Sequence, residues 1–204
     1  MSDARDLRVA FIGDSFVAGT GDPEARGWVG RVASAADAAG IPLSAYNLGV
    51  RRETSADMLR RWQAEAIVRL PSTSDGRVVF SLGANDATFE NGRARVEPEA
   101  SAANLDRMLA GAAALGLPAF VVGTVPAGDA AHRERIDALS MRLEAVAVAR
   151  AVPYVDVREA IVASDVWRRE VRKSDGIHPR AGGYELLASV IAGPLLRWLA
   201  AEPR

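Results

Sequence analysis

The chain has 204 residues, of which 49% are hydrophobic, and this size and composition suit one globular domain over residues 1–204. Its 25 basic and 26 acidic residues give a formal net charge of -1 and are mixed along the sequence, so no basic field favours a nucleic-acid partner. The absence of cysteine excludes disulfides, thiolate metal sites and a cysteine nucleophile.

Short apolar runs alternate with longer segments of helical period, a pattern typical of β-α units that build a parallel sheet. The runs that predict strands occupy residues 9–12, 43–48, 78–82, 119–123 and 152–157. The segments that predict helices occupy residues 27–39, 55–69, 100–115, 131–151 and 181–200. Because the strands are apolar with little polar alternation, we expect both of their faces to be buried. The predicted fold is a three-layer α/β/α sandwich on a five-stranded parallel sheet, flavodoxin-like with strand order 2-1-3-4-5.

Three helix ends carry their own sequence signals. Gly40 and Gly116 follow predicted helices, and each is followed two residues later by a proline, as helix ends often are. Thr54 and Asp57 have the spacing of a capping box, which predicts that a helix begins after Thr54.

The first residues run directly into a short apolar segment and lack the apolar stretch and cleavage pattern of a secretory signal. No apolar run approaches the roughly 20 residues that are needed to cross a bilayer. The sequence therefore predicts a soluble, cytoplasmic protein without a membrane partner.

Polar and glycine-rich segments follow four of the five predicted strands, the last of them after a loop. They occupy residues 13–21, 47–49, 83–86 and 175–179. In an open parallel sheet, ligands bind beyond the carboxyl ends of the strands, so we expect these segments to meet at one edge of the sheet. Turn and cap formation explains each segment alone, but together they supply a nucleophile, a base, an acid and oxyanion donors.

Ser15, His178 and Asp175 are the candidate catalytic groups. A serine hydroxyl needs an adjacent base to become a nucleophile, and His178 can serve because histidine is the side chain that titrates nearest to neutral pH. Asp175 precedes His178 by three residues, close enough in a turn to accept the other imidazole N–H. The second histidine, His132, lies at the start of a predicted helix, and we expect it to face solvent. Asp156, at the end of the fifth strand, stays open as a rival for the acid role.

Four short motifs resemble the four sequence blocks of the GDSL/SGNH hydrolase family. They are Gly13-Asp14-Ser15, Gly49, Gly83-x-Asn85-Asp86 and Asp175-x-x-His178, in the order of the family. The resemblance implies a flavodoxin-like fold and esterase, lipase, thioesterase or carbohydrate deacetylase activity, with no metal and no cofactor. It also implies an oxyanion hole formed by the backbone N–H groups of Ser15 and Gly49 and the side-chain amide of Asn85.

The remaining residues of these motifs have expected structural roles. A residue without Cβ at position 49 would let a substrate oxygen approach the backbone closely. Asp14 is expected to accept from free N–H groups in the first turn of the following helix, and Asp86 to support its own loop.

Two other interpretations stay open. A hard-metal site for phosphoester hydrolysis could be built from Asp14, Asn85, Asp86, Asp175 and His178. Such a site would leave Ser15 and Gly49 without a common function. Alternatively, the chain is a catalytically inactive relative that only binds a ligand.

The substrate is the least determined feature of the sequence. The candidate substrate contacts are Phe16 and Val17 beside the nucleophile, Arg51 and Arg52 after Gly49, and Trp167 in a predicted loop over residues 164–173. The segments 88–96 and 125–131 are expected to line the same pocket. The two arginines could attract an anionic substrate, but we expect them to face solvent. Because no connection is long enough for a lipase lid, the predicted partner is a small-molecule ester with a short acyl or acetyl group.

Overall fold

The computed structural model describes residues 5–201, in which five parallel strands form the main sheet. These strands are β1 (Leu7–Gly13), β2 (Leu43–Gly49), β3 (Asp75–Ser81), β6 (Ala119–Val122) and β7 (Tyr154–Val155). Two short strands, β4 (Phe89–Glu90) and β5 (Arg93–Ala94), form a separate antiparallel hairpin. The main sheet has the order β2-β1-β3-β6-β7, which is the predicted order 2-1-3-4-5. The predicted five-stranded parallel sheet and its order are confirmed.

Helices cover both faces of the sheet. They are α1 (Ser15–Ala18), α2 (Gly27–Ala38), α3 (Ser55–Arg69), α4 (Pro98–Ala114), α5 (Ala130–Ala149), α6 (Arg158–Ala163), α7 (Asp165–Arg172) and α8 (Ala181–Ala200). One apolar cluster joins the sheet to α2, α6, α7 and α8, and a second joins it to α3, α4 and α5. Successive strand residues serve opposite clusters, since Phe11 packs in the first and Ile12 in the second. The three-layer sandwich is therefore confirmed.

The register of the strands brings their carboxyl ends together. Gly13 at the end of β1 pairs with Gly49 at the end of β2 and with Ser81 at the end of β3. The polar segments that follow these three strands therefore leave the sheet at the same edge.

Several local signals of the sequence are confirmed. The Thr54 side chain accepts from the N–H of Asp57, and the Asp57 carboxylate accepts from the N–H of Thr54, as a capping box requires. Gly40 and Gly116 adopt φ values of 73° and 67° just after α2 and α4, in the left-handed region that favours glycine.

Two local predictions are wrong. Residues 164–173 are mostly the helix α7 rather than a loop, because the Ser164 hydroxyl caps it by accepting from the N–H of Trp167. Strand β2 is also only partly buried, because it lies at the edge of the sheet. Within residues 5–201, no helix is both long and apolar enough to span a bilayer.

Candidate active site

Ser15 lies where β1 turns into α1. Asp14 caps this helix, its Oδ1 accepting from the N–H of Phe16 at 2.9 Å, as the sequence predicts. Ser15 is the first helical residue, so its own N–H has no partner within the helix. The side chain is largely buried, with 5% of the residue exposed. The end of the first strand thus presents a hydroxyl and a free backbone donor at one point.

A chain of hydrogen bonds joins Ser15, His178 and Asp175. The Nε2 atom of His178 lies 2.7 Å from the Oγ of Ser15, and its Nδ1 lies 2.7 Å from Oδ2 of Asp175. An ionised carboxylate can only accept, so Nδ1 carries the ring proton and Nε2 offers its lone pair to the serine hydroxyl. The three residues are therefore arranged for removal of the serine proton.

Asp175 remains ionised because of the turn that it occupies. Partial burial alone would raise its pKa, but the carboxylate accepts from the backbone N–H groups of His178 and Ile177 and from the imidazole. These bonds outweigh burial and lower the pKa of Asp175 to about 2. The carboxylate that faces the imidazole is thus charged throughout the neutral range.

The two rival residues have other partners. Asp156 forms an ion pair with Arg158 at 2.7 Å rather than with either histidine. His132 is half-buried and lines the cavity beside Ser15, so the prediction that it faces solvent is wrong. Its ring nitrogens lie 2.8 Å from the carbonyl oxygen of Ala127 and 3.0 Å from that of Ala84, because the loop before α5 folds over the end of β3.

Asn85 and the buried Asp14 form a polar pair beside the nucleophile. The side-chain amide of Asn85 donates to Oδ2 of Asp14 at 3.2 Å. Burial raises the pKa of Asp14 to about 7, and the nearby charge of Asp86 adds to this rise, whereas the N–H of Phe16 opposes it. Because a primary amide has two N–H bonds, one hydrogen of Asn85 is left for the cavity that Asn85 lines.

Gly49 lies next to these residues, and packing gives a second reason for a glycine here besides the one predicted from the sequence. Its N–H donates to the side-chain Oδ1 of Asn47 at 3.0 Å, and Gly49 does not line the cavity. A Cβ at this position would lie 2.2 Å from the backbone nitrogen of Ala18 and 2.8 Å from the carbonyl oxygen of Asp14. Glycine is therefore required because α1 packs directly against the end of β2.

A cavity of about 420 Å³ opens above Ser15, and we call it the active-site cavity. It is lined by Ser15, Phe16, Asn85, His178 and residues of the neighbouring loops, including Arg51 and Arg52. Both of these arginines are exposed and also face the cavity, and Arg51 lies 3.6 Å from Oδ2 of Asp175.

The structure separates the other two predicted substrate contacts from this cavity. Val17 is buried in the core and lines neither this cavity nor the one beside it. Trp167 is 5% exposed and packs on Phe16 with ring centroids 6.2 Å apart, which places it behind the cavity wall. Neither residue lines the active-site cavity, but Trp167 lines the second cavity beside it.

Further residues of the cavity come from the segment 88–96, as the sequence predicts, and from α5. Phe89 and Arg95 belong to the β4–β5 region. Arg135 belongs to α5, where its guanidinium lies 5.3 Å from the centroid of the Phe89 ring, and the sequence did not predict that it lines the cavity.

The residues that could have formed a metal site are engaged elsewhere. Asp86 is buried and accepts from the N–H of Ser55 at 2.8 Å, while Asp14 and Asp175 hold the partners described above. Across residues 5–201, no group of three histidine or acidic side chains is arranged to hold a metal ion.

Comparison with known proteins identifies the chain's relatives. A family model described as GDSL-like Lipase/Acylhydrolase matches residues 11–186. A lipase/acylhydrolase from Enterococcus faecalis has 24% identity and a TM-score of 0.78, with 97% of this chain and 98% of that chain covered. The esterase EstA from Pseudoalteromonas sp. has 18% identity and a TM-score of 0.74, with 96% and 100% covered.

The acetylxylan esterase Axe2 from Geobacillus stearothermophilus has 19% identity and a TM-score of 0.72, with 99% of this chain and 98% of that chain covered. At these identities the solved structures show that the fold is shared. No curated protein sequence matches the chain significantly.

Proposed function

The chain belongs to the GDSL-like lipase/acylhydrolase family and is a carboxylic ester hydrolase, and on that premise we propose that Ser15 is its nucleophile, His178 its base and Asp175 the acid that orients the base. The observation that carries this proposal is the pair of 2.7 Å contacts on either side of the His178 ring. These contacts fix the imidazole tautomer that carries its proton on Nδ1, and they direct Nε2 at the hydroxyl of Ser15.

The first step transfers the acyl group to the enzyme. The Oγ of Ser15 attacks the ester carbonyl carbon while Nε2 of His178 takes the hydroxyl proton. The tetrahedral intermediate then collapses, the bond to the alcohol oxygen breaks, and His178 returns its proton to the leaving alcohol. Asp175 stays charged throughout and stabilises the imidazolium between these two transfers.

The second step releases the acid. Water gives a proton to Nε2 of His178 and attacks the acyl carbon, and the bond between the acyl carbon and Oγ breaks as His178 protonates Ser15. The free serine and a carboxylic acid result, so no further reactant is needed.

The negative oxygen of each tetrahedral intermediate needs preorganised donors, each of which typically contributes about 3 kcal/mol. We assign this role to the backbone N–H of Ser15, the free amide hydrogen of Asn85 and the N–H of Gly49. The N–H of Gly49 must break its hydrogen bond to the Asn47 side chain before it can donate to the oxyanion, whereas the other two donors are already free.

A short acyl group, such as acetyl, is the proposed acid part of the substrate. The active-site cavity holds about 420 Å³, and Axe2, which shares the fold, is described as an acetylxylan esterase. A small ester with a small acid part therefore remains the proposed partner, and a cytoplasmic location stays a prediction from the sequence.

Hydrolysis of p-nitrophenyl acetate tests the roles of these residues. Ser15→Ala and His178→Gln should each lower kcat by about a thousandfold or more, because the nucleophile and its base act as a unit. His132→Gln is the matched control, since a glutamine amide can still donate to one of the same carbonyl oxygens, and it should stay within about tenfold of the wild type. A full loss in His132→Gln with activity kept in His178→Gln would reverse the assignment.

A further inference from the structure

A second cavity of about 480 Å³ lies beside the active-site cavity, and we call it the side groove. Its apolar surface comes from Ile161, Val162, Trp167 and Val171 of α6 and α7. The two cavities share Ala127, Gly128 and Ile177 as lining residues. Because Ile177 immediately precedes His178, the side groove begins next to the residue that protonates the leaving alcohol.

Among the described residues, every charged side chain that lines the side groove is positive. Arg133, Arg168 and Arg172 line it, and no acidic residue does. Arg168 forms an ion pair with Asp165 at 2.7 Å, whereas Arg133 and Arg172 form none with any residue from 5 to 201. The guanidinium of Arg133 donates to the carbonyl oxygen of Gly128, at 2.7 Å. Two guanidinium groups are thus available to an anion.

The lining of the active-site cavity also carries an excess of positive charge. Its lining includes Arg51, Arg52, Arg95 and Arg135 but only two acidic residues, Glu90 and Asp129. This excess contrasts with the chain as a whole, which has 25 basic and 26 acidic residues. A cleft lined by charge of one sign raises the local concentration of substrates of the opposite sign.

We propose that the alcohol part of the ester carries an anionic group, such as a carboxylate, sulfonate or phosphate, on an apolar segment that lies in the side groove. This inference rests on the proposed function, in which the acid part is short and the alcohol oxygen receives its proton from His178. The apolar segment packs on Val162 and Trp167, and the anion reaches Arg133 and Arg172. A guanidinium binds such oxyanions through paired N–H groups.

A matched pair of acetate esters tests the inference. One is the acetate of 6-hydroxyhexanesulfonate and the other is heptyl acetate, so that the reacting ester bonds are alike and only the distal charge differs. Acetate release at low ionic strength should show about a tenfold or greater preference in kcat/KM for the sulfonate. The preference should shrink in 0.5 M NaCl, where the Debye length is only a few ångströms.

Two double variants separate the side groove from the net charge of the protein. Arg133→Gln with Arg172→Gln should reduce the preference to within about threefold, since the anion loses its partners. Arg107→Gln with Arg197→Gln removes the same charge from exposed positions that line neither cavity, and should keep the preference. The Arg107/Arg197 variant should also cleave heptyl acetate as the wild type does.

Three outcomes would overturn the inference. The first is equal cleavage of the two acetate esters, and the second is a preference for the sulfonate that is unchanged in the Arg133/Arg172 variant. The third is a preference that appears only when the charge lies on the acid part of the ester, measured with p-nitrophenyl adipate against p-nitrophenyl hexanoate. In each case Ser15-dependent hydrolysis of p-nitrophenyl acetate would still stand. If the wild type does not hydrolyse p-nitrophenyl acetate, the proposed function is overturned, and the inference with it.

Discussion

At the scale of single residues, the site depends on how Asp175 is held. Its carboxylate accepts from two backbone N–H groups of its own turn as well as from the His178 ring. The backbone bonds fix the direction of the carboxylate, and the carboxylate in turn fixes the tautomer of the ring. A neutral side chain of the same shape would keep the turn but not the tautomer.

Asp175→Asn should therefore have a large effect on catalysis. The variant should fold as the wild type does but lower kcat for p-nitrophenyl acetate by about 10³–10⁴-fold, because an amide can donate to Nδ1 and so favour the wrong tautomer. Asp156→Asn removes a comparable carboxylate that pairs with Arg158, and should keep most of the activity. The opposite ranking of these two variants would assign the acid role to Asp156.

The sequence identified the residues around Ser15 better than it identified their partners. Residue type and spacing were sufficient to bring Asp175 and His178 together, because three residues of a turn leave few arrangements. The bond from Gly49 to Asn47 could not be predicted, since it depends on a side-chain conformation. The burial of Trp167 depends on how α7 packs, and the half-burial of His132 depends on the path of the loop before α5, and the sequence holds no periodic signal for either.

At the scale of elements, α7 fixes the loop that carries Asp175 and His178. The carboxylate of Glu170 accepts from the N–H groups of Arg180, Gly182 and Gly183 at 2.8 to 3.1 Å, at the start of α8. The residue before α8 has no capping side chain of its own, so Glu170 replaces it from a neighbouring helix. The loop between α7 and α8, which carries Asp175 and His178, is therefore attached at both of its ends.

Glu170→Ala should lower the free energy of unfolding by about 1–2 kcal/mol, the usual cost of losing a helix cap. It should also lower kcat/KM, because the loop between α7 and α8 loses one of its attachments. Chemical denaturation and ester hydrolysis would measure both effects. Glu134→Ala, an exposed glutamate on α5 that lines neither cavity, is the control and should change neither quantity.

The long elements and all five strands of the main sheet followed from the sequence, whereas the short helices and the β4–β5 hairpin did not. Five helices have enough residues for a hydrophobic period to be recognised, as in α3. The strand predicted over residues 152–157 is present as β7, but with only two residues. Helix α7 was not predicted because most of its surface is polar, and it gains its stability from packing against neighbouring elements, which no local pattern reveals.

At the scale of the whole molecule, a near-zero net charge conceals an uneven distribution. The arginines that line the two cavities come from four separate stretches of the chain, and only folding brings them together. Composition could therefore exclude a general polyanion-binding surface, but it could not predict a local positive field.

Global stability should also reflect the buried carboxyl of Asp14. Its pKa is raised to about 7 from an unfolded value near 3.9, so its contribution is fully present below about pH 4 and is lost as pH rises through 7. Asp14→Asn keeps the helix cap without the charge. Between pH 4 and pH 8 the wild type should lose on the order of a few kcal/mol of stability relative to this variant.

Denaturant titrations at several pH values would measure this difference. Asp106→Asn is the control, because the pKa of this more exposed carboxylate is lowered by its hydrogen bond with Arg150, and the variant, which keeps Asp14, should lose stability in parallel with the wild type. If wild type and Asp14→Asn change in parallel across this range, the buried carboxyl does not govern the pH dependence of stability.

The central claim is that Ser15 is a nucleophile activated by His178, and covalent labelling with a fluorophosphonate tests it most directly. Mass spectrometry of the treated protein and of its peptides should find one adduct, on Ser15, and none in Ser15→Ala. His178→Gln should slow the labelling by about a hundredfold or more, since the hydroxyl loses its base. An adduct on another residue, or an unlabelled Ser15 in a protein that still hydrolyses esters, would contradict the account.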